Sequence, residues 1–251
     1  MPSIRLENLS FSFKKRKETF KVLDNISQEF ETNKIHVILG KSGSGKTTLL
    51  RCINGLNDYD GHIYYDEELM DQIPVQNRKV GYVSQEFALY PHFDLFKSIT
   101  YPLVINGTDI DEIRKRVKEI SEDFNIAPIL SRKPKQVSVG QAQRAVLARA
   151  LIKRPSICLL DEPLSNVDPV NRQEIRIYLK NALRKYGCIT IYVTHDLTEA
   201  TAIGDYIYLL DEGHIVAHGK TKEILFSENK VVRDFFDSLK NETLGLWRAF
   251  E

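Results

Sequence analysis

Three runs of the chain are nearly continuous in Ile, Val and Leu: KIHVILG (34–40), SICLLDE (156–162) and CITIYVTH (188–195). Strands covered on both faces read this way, because neither face meets water, and central parallel strands are covered on both. Residues 1–34 alternate instead, with Ile4, Leu6, then Leu9, Phe11, Phe13, then Ile26 and Phe30. A period of two predicts antiparallel strands with one wet face. Helical periods lie between the buried runs. Asp111–Phe124 puts Ile113, Val117, Ile120 and Phe124 on one face, and Asn171–Tyr186 does the same with Ile175, Tyr178, Leu179, Ala182 and Leu183 before stopping at Gly187. Tyr206–Ala217 reads as two short strands around Glu212-Gly213. The segment 87–137 is mostly helical and lacks a strong buried strand, so it reads as a subdomain inserted into a sheet domain. Strands alternating with helices predict an α/β fold with a parallel sheet.

Val137–Leu151, VSVGQAQRAVLARAL, adds a further helix, rich in Ala, Leu, Arg and Gln from Gln141 onward. Ser138 followed three residues later by Gln141 fits a capping box and starts the helix there. The residues alone leave open whether Ser138, Gly140 and Gln141 only cap this helix or also bind something.

Composition narrows the function classes. The chain has 251 residues, enough for one large domain or two small ones. Lys+Arg 35 against Asp+Glu 34 gives no support to a general nucleic-acid or membrane-surface role. The dense basic run Lys14-Lys15-Arg16-Lys17 follows an alternating strand and reads as a solvated turn. Cys52, Cys158 and Cys188 form no C-x-x-C pair, and the last two lie in apolar runs, which argues for buried thiols in a reducing compartment. No stretch reaches the roughly eighteen apolar residues of a membrane span, and no signal peptide is read at the N-terminus, so a soluble intracellular chain is expected.

The chemistry begins at GKSGSGKT: Gly40, Lys41, Ser42, Gly43, Ser44, Gly45, Lys46 and Thr47. It completes the pattern G-x-x-x-x-G-K-[ST] between a buried strand and the helical run TTLLRCIN, which includes Thr48. Glycines there let backbone N–H groups wrap phosphate oxygens, and the helix N-terminus adds a favourable dipole. Lys46 would neutralise the β- and γ-phosphates and the Thr47 hydroxyl would ligate Mg²⁺. Downstream, ICLLDEP places Asp161 and Glu162 at the end of an apolar strand, where paired acids need a charged partner. Asp161 would hold Mg²⁺ through its waters, and Glu162 could take a proton from water attacking the γ-phosphate.

With these motifs in order, the chain resembles the ATP-binding subunits of ABC transporters over nearly its whole length. VSQEFALYPH (83–92) is similar to the family's Q-loop, with Gln85 contacting Mg²⁺ or water and sensing the transmembrane partner. VSVGQAQR (137–144) stands where the family has its signature, LSNVD (164–168) resembles the D-loop with Asp168, and YVTHD (192–196) carries the switch histidine as His195. Phe13 matches the position where an aromatic ring stacks on adenine; taken alone it reads equally as core. The resemblance gives Ser138, Gly140 and Gln141 a second duty, binding the γ-phosphate of ATP held by the other subunit of a dimer. It implies one ABC ATPase domain over 1–251, of P-loop NTPase type. That domain has a mainly parallel core sheet with helices, an N-terminal antiparallel β subdomain, an inserted α-helical subdomain at roughly 87–155, and a short helical tail at roughly 221–251.

The implied function is ATP hydrolysis, with ATP and Mg²⁺, powering a transporter from the cytoplasmic side of the cell membrane. Its implied partners are transmembrane permease subunits, a second ATP-binding subunit and an extracytoplasmic solute-binding protein, with no nucleic acid. FALYPHFDLFKSITYPL (87–103), LSNVDPVNRQEIRIYLKNAL (164–183) and the stretch from Glu199 to Gly219 look most like the importer ATPases for sugars. Those usually continue into a C-terminal regulatory domain, for which a tail holding Phe235, Phe236, Leu239 and Trp247 is too short. Two letters depart from the signature L-S-G-G-Q: Val137 for Leu and Val139 for the first Gly. A β-branched residue forced to positive φ would carry roughly 1–3 kcal/mol of strain, and its methyls would crowd the phosphate; hydrolysis is still expected. The alternatives are a soluble ABC-type ATPase without a transporter and a subunit whose hydrolysis Val139 has impaired.

Overall fold

The computed structural model describes residues 3–15, 18–86 and 89–248, with side chains described as far as Leu239 and not at Lys15. Arg16, Lys17, Phe87, Ala88 and the side chain of Trp247 therefore lie outside the described residues. In chain order come β1 (Ser3–Lys15), β2 (Glu18–Glu31), β3 (Ile35–Leu39), α1 (Lys46–Asn54), β4 (Asp60–Tyr65), β5 (Glu68–Leu69) and β6 (Val80–Val83). Then follow α2 (Leu95–Ile105), α3 (Ile110–Asp123), α4 (Val139–Leu151), β7 (Ile157–Asp161), α5 (Pro169–Tyr186) and β8 (Ile189–Thr194). The chain continues through α6 (Leu197–Ile203), β9 (Tyr206–Asp211), β10 (His214–Lys220), α7 (Thr221–Leu225) and α8 (Lys230–Arg248). It forms two compact units, one of residues 1–31, 35–75 and 191–251, the other of 32–34 and 76–190.

In the first unit the alternation of residues 3–31 becomes the hairpin of β1 and β2, antiparallel from Ser3 opposite Glu31 to Lys15 opposite Glu18. Ile4, Leu6, Leu9, Leu23, Ile26 and Phe30 turn inward and are buried, as one wet face requires. β4 pairs with the other side of β1, and β5 with β4. The second layer of this unit is built on β3, every residue of which is buried. β3 runs parallel to β9, β9 antiparallel to β10, and β8 lies on the far side of β3, the last four residues of β8 belonging to this unit. The Glu212-Gly213 turn joins β9 to β10 with both residues at positive φ, and β4, β5 and α6 are additions that the sequence pattern did not reveal.

In the second unit β6 and β7 pair in parallel, from Val80 opposite Ile157 to Val83 opposite Leu160. Among the described residues every element between those strands is helical. α4 sends Ala145, Val146, Leu147, Ala148 and Leu151 into the core. α3 buries Ile113, Val117 and Ile120. α5 ends where Gly187 takes a left-handed conformation at φ 66°. Lys185 on α5 bridges Asp123 at 2.8 Å and Glu119 at 3.0 Å on α3, and Tyr186 donates to Asp123 at 2.7 Å. Cys52, Cys158 and Cys188 are all free and buried. No described helix is long and apolar enough to cross a membrane.

Candidate functional site

In the first unit the glycines of the loop between β3 and α1 do the shaping. Gly45 caps α1 at φ 105°, a left-handed conformation that side chains resist, and a Cβ there would lie 2.8 Å from Leu23 and 2.9 Å from the Val22 carbonyl of β2. Gly40 has no room either: a Cβ would stand 2.5 Å from both the Leu210 carbonyl and Ser44 Oγ. Glycine as N-cap gives α1 no capping side chain, and no acidic residue stands in its first turn. Such a helix end draws anions. Lys46 is buried and its Nζ donates to the carbonyls of Gly40 at 2.9 Å and Lys41 at 2.7 Å, so the cation folds back over the loop. Ser44 Oγ is buried with no hydrogen-bond partner among the described residues. A buried hydroxyl left so is costly unless something else accepts or donates to it. Ser42 is exposed on the same loop, and Thr47 is exposed in the first turn of α1.

Phe13 faces solvent, 53% exposed, with Phe11 edge-on at 4.7 Å and Phe20 opposite it on β2. Core packing, one of its two sequence readings, is thereby removed. His195 is exposed immediately after β8, and the loop is tied to that strand because Gly40 N–H donates to the Thr194 carbonyl at 3.3 Å. The structure thus brings Gly40 to Gly45, Lys46 and the base of His195 into one connected piece.

The second unit holds the acids and the helix end. Asp161 closes β7 and is 1% exposed. Glu162, half-buried, follows at φ 44°, in the left-handed region that non-glycine residues seldom occupy. Its carbonyl accepts from Ser165 N–H at 3.2 Å and from Ser165 Oγ at 3.0 Å, which holds the turn. Gln143 of α4, fully buried, donates from Nε2 to the Pro163 carbonyl. That residue was missed from the sequence; its only signal is the second Gln of the run QAQR, which looks like any polar helix position. Gln85 is exposed in the turn after β6.

The capping box at the start of α4 is present in both directions: Ser138 Oγ accepts from Gln141 N–H at 3.2 Å and Gln141 Oε1 accepts from Ser138 N–H at 3.0 Å. Val139 corrects the sequence expectation. It is the first residue of α4, absent from the positive-φ positions and 57% exposed, so its β-branch sits in ordinary right-handed backbone and carries none of the expected strain. Gly140 packs beside Asn171, whose own amide is fixed by Asp168: Oδ1 accepts from Asn171 N–H at 3.1 Å and Oδ2 from Nδ2 at 2.7 Å. Those Asn171 bonds, side chain first, hold the Asp168 carboxyl below its ordinary pKa, and it caps α5 as an anion. Ser138 to Gln141 and Asp168 are therefore neighbours, joined through Asn171.

Comparison with known proteins gives one consistent answer. Residues 23–165 match the family model described as ABC transporter. The maltose/maltodextrin import ATP-binding protein MalK of Vibrio cholerae serotype O1 is 39% identical over 225 residues, which is 89% of this chain and 60% of that protein. The glucose import ATP-binding protein GlcV of Saccharolobus solfataricus is 39% identical over 230 residues, 89% of this chain and 65% of that one. The chain thus spans less than two thirds of the length of these curated relatives. Among solved structures, the dimeric post-hydrolysis state of the ATP-binding cassette MJ0796 bound to ADP and Pi matches with a TM-score of 0.77 at 29% identity, covering 87% of this chain and 98% of that chain.

Proposed function

Because this chain belongs to the ABC transporter family, we propose that it is the ATP-binding and ATP-hydrolysing subunit of a transporter, working as a dimer on permease subunits at the cytoplasmic face of a membrane. The observation that carries the reading is the phosphate loop: a glycine-capped α1, the Lys46 cation folded over the loop, and a buried Ser44 hydroxyl with no partner among the described residues. A phosphate would suit the helix end, attract the Lys46 cation and give the Ser44 hydroxyl a partner. The import names of MalK and GlcV support a small solute such as a sugar as cargo and import as the direction, with a solute-binding protein outside. The expected domain plan, one ATPase domain with a helical insertion at roughly 87–155 and a helical tail, is retained in this reading.

The residues divide the work. Gly40 to Thr48 wrap the phosphates, and Lys46 leaves its carbonyl partners for the β- and γ-phosphate oxygens. Phe13 offers a ring to the adenine. Thr47, Gln85 and Asp161 supply hard oxygen donors, the kind Mg²⁺ takes, and no described cluster of three His, Cys, Asp or Glu competes for a metal. When bound, the ion spreads the charge of the β- and γ-phosphates. Glu162 accepts the proton of the attacking water. His195 holds the γ-phosphate and that water in place, and Asp168 links the two sites of the dimer. Ser138, Gly140 and Gln141 serve the partner's ATP from the N-terminus of α4, much as an arginine finger would. The relaxed, exposed Val139 supports a hydrolysing subunit over an impaired one.

Steady-state ATP hydrolysis by the purified chain, wild type beside Glu162→Gln, tests the reading. Loss of the base should lower turnover by about 10²–10⁴ and leave ATP binding intact. Full turnover in the variant removes Glu162 from the mechanism, and absence of nucleotide binding in the wild type removes the function itself.

A further inference from the structure

Behind His195 lies a small hydrogen-bonded corner of buried side chains. Thr194, 2% exposed at the end of β8, bonds in three directions. Its carbonyl accepts from Gly40 N–H at 3.3 Å, its hydroxyl donates to Glu199 Oε2 at 3.2 Å, and the same hydroxyl accepts from Asp196 N–H at 3.0 Å. Glu199, on α6 and 3% exposed, takes a second hydroxyl on that oxygen, from Tyr192 at 2.8 Å. Asp196 closes the circuit, with Oδ1 accepting from Thr198 N–H at 2.7 Å and from Glu199 N–H at 3.2 Å. His195 is the exposed residue in the middle.

A buried carboxyl group on the inner face of a short helix is a poor choice for packing alone. An apolar side chain of the same size would fill the space without the desolvation that a carboxyl group must recover through hydrogen bonds. What the carboxyl adds is direction. One oxygen holding the Thr194 hydroxyl sets that side chain's rotamer, and the hydroxyl then fixes the Asp196 amide, so the backbone is pinned on both sides of His195. Through its carbonyl the same Thr194 also holds the first glycine of the phosphate loop. We propose that Glu199 is a positioning residue: acting through Thr194, it keeps the His195 corner and Gly40 in one register. The proposal rests on the reading of His195 as the group that holds the γ-phosphate and the attacking water.

The test compares Glu199→Leu, Glu199→Gln, Thr194→Val and His195→Ala in the full chain, by ATP turnover, ATP affinity, melting temperature and the ring signals of isotope-labelled histidine. Misplacement without loss of the binding loop should lower kcat by roughly 10- to 100-fold in Glu199→Leu and in Thr194→Val while KM for ATP moves less than about twofold. Glu199→Gln, which keeps an acceptor oxygen and the shape, should recover most of the rate. In a His195→Ala background, Glu199→Leu should cost less than about threefold more, because the two act as one unit. The His195 ring signal, assigned by its loss in His195→Ala, should shift in Glu199→Leu and Thr194→Val and stay in place in Glu199→Gln. Should Glu199→Leu not fold, Thr194→Val carries the comparison. Wild-type rates in folded Glu199→Leu and Thr194→Val overturn the proposal, as does a full additional loss in the His195→Ala background. If His195→Ala itself turns over like wild type, the reading of His195 has failed. The ring signal then decides the brace alone, shifted in Glu199→Leu if it stands and unshifted if it does not.

Discussion

Glu162 occupies backbone that an L-residue enters at a cost. At φ 44° its Cβ crowds the neighbouring peptide, and glycine would sit there with about 1 kcal/mol less strain. Glu162→Gly should therefore raise the melting temperature slightly while lowering turnover as Glu162→Gln does. A variant that melts lower instead would show that the side chain holds the turn. Val139 leads to the opposite expectation for its own exchange. Since its backbone is already right-handed, Val139→Gly restores the family letter without relieving strain; it should cost the helix about 0.5–1 kcal/mol and change ATP turnover by less than about threefold. A rise of tenfold or more would mean that the exposed methyls do obstruct the phosphate. At this scale the sequence was legible where chemistry is local. Gly40 to Thr47 form one contiguous pattern whose backbone demands can be read letter by letter. The left-handed Glu162 and the joint at Thr194 were not legible, because φ has no letter of its own for a glutamate and Thr194 meets Gly40 and Glu199 only through folding.

Helix α4 begins with a residue asked to do two things, and the two can be separated. As N-cap, Ser138 needs only an oxygen that accepts from the Gln141 amide. Aspartate supplies that oxygen as well as serine does, whereas Ser138→Ala should cost about 1 kcal/mol of stability. As a phosphate ligand the position must not be negative, since an added carboxylate cancels the field of the helix end. Ser138→Asp should accordingly melt like wild type and lose at least about tenfold in turnover. Loss of stability in step with rate would leave capping as its only duty. The helix itself was legible from its composition and the spacing of Ser138 and Gln141. Strands β4 and β5 were not, because residues 60–69 are short and largely polar and are ordered by pairing, β4 on β1 and β5 on β4. Asp71, just beyond them, anchors the pair. Burial works to raise its pKa, but bonds from His62 at 2.8 Å, Tyr59 at 2.7 Å and Ile63 N–H at 3.1 Å outweigh that and hold the carboxyl below its ordinary value. A folded pKa below the unfolded one stabilises at every pH above the unfolded value, roughly 3.9, and that stabilisation is lost as pH falls through the folded value. Denaturant melts of wild type and Asp71→Asn should differ near neutral pH, begin to converge as pH falls below about 4 and close the gap once it passes below the folded pKa; a constant gap would assign the effect to shape rather than charge.

For the whole molecule, the decisive question is whether one chain can complete its own site. The phosphate loop and His195 lie in the first unit, the acids and the start of α4 in the second, and the proposal hands the α4 end to the ATP of a partner copy. The sequence made both sets of residues legible but could not say which chain each serves, since a motif's letters are identical whether it acts in cis or in trans. Two variants of low turnover can say. Lys46→Ala removes the phosphate cation and leaves α4 intact; Ser138→Asp spoils the α4 end and leaves the loop intact. If the site is shared, a mixed dimer contains one complete pairing, the good loop of one copy against the good α4 of the other, and one pairing broken on both sides. Equal mixing of exchanging chains makes about half the dimers mixed, so turnover should return to roughly a quarter of wild type if the two sites work independently in a two-fold dimer. The activity of the wild type alone should also rise faster than linearly with protein concentration until the dimer saturates. If the chain completes its site within one copy, mixing restores nothing, turnover per chain is independent of concentration, and the α4 end belongs to the same subunit as the loop.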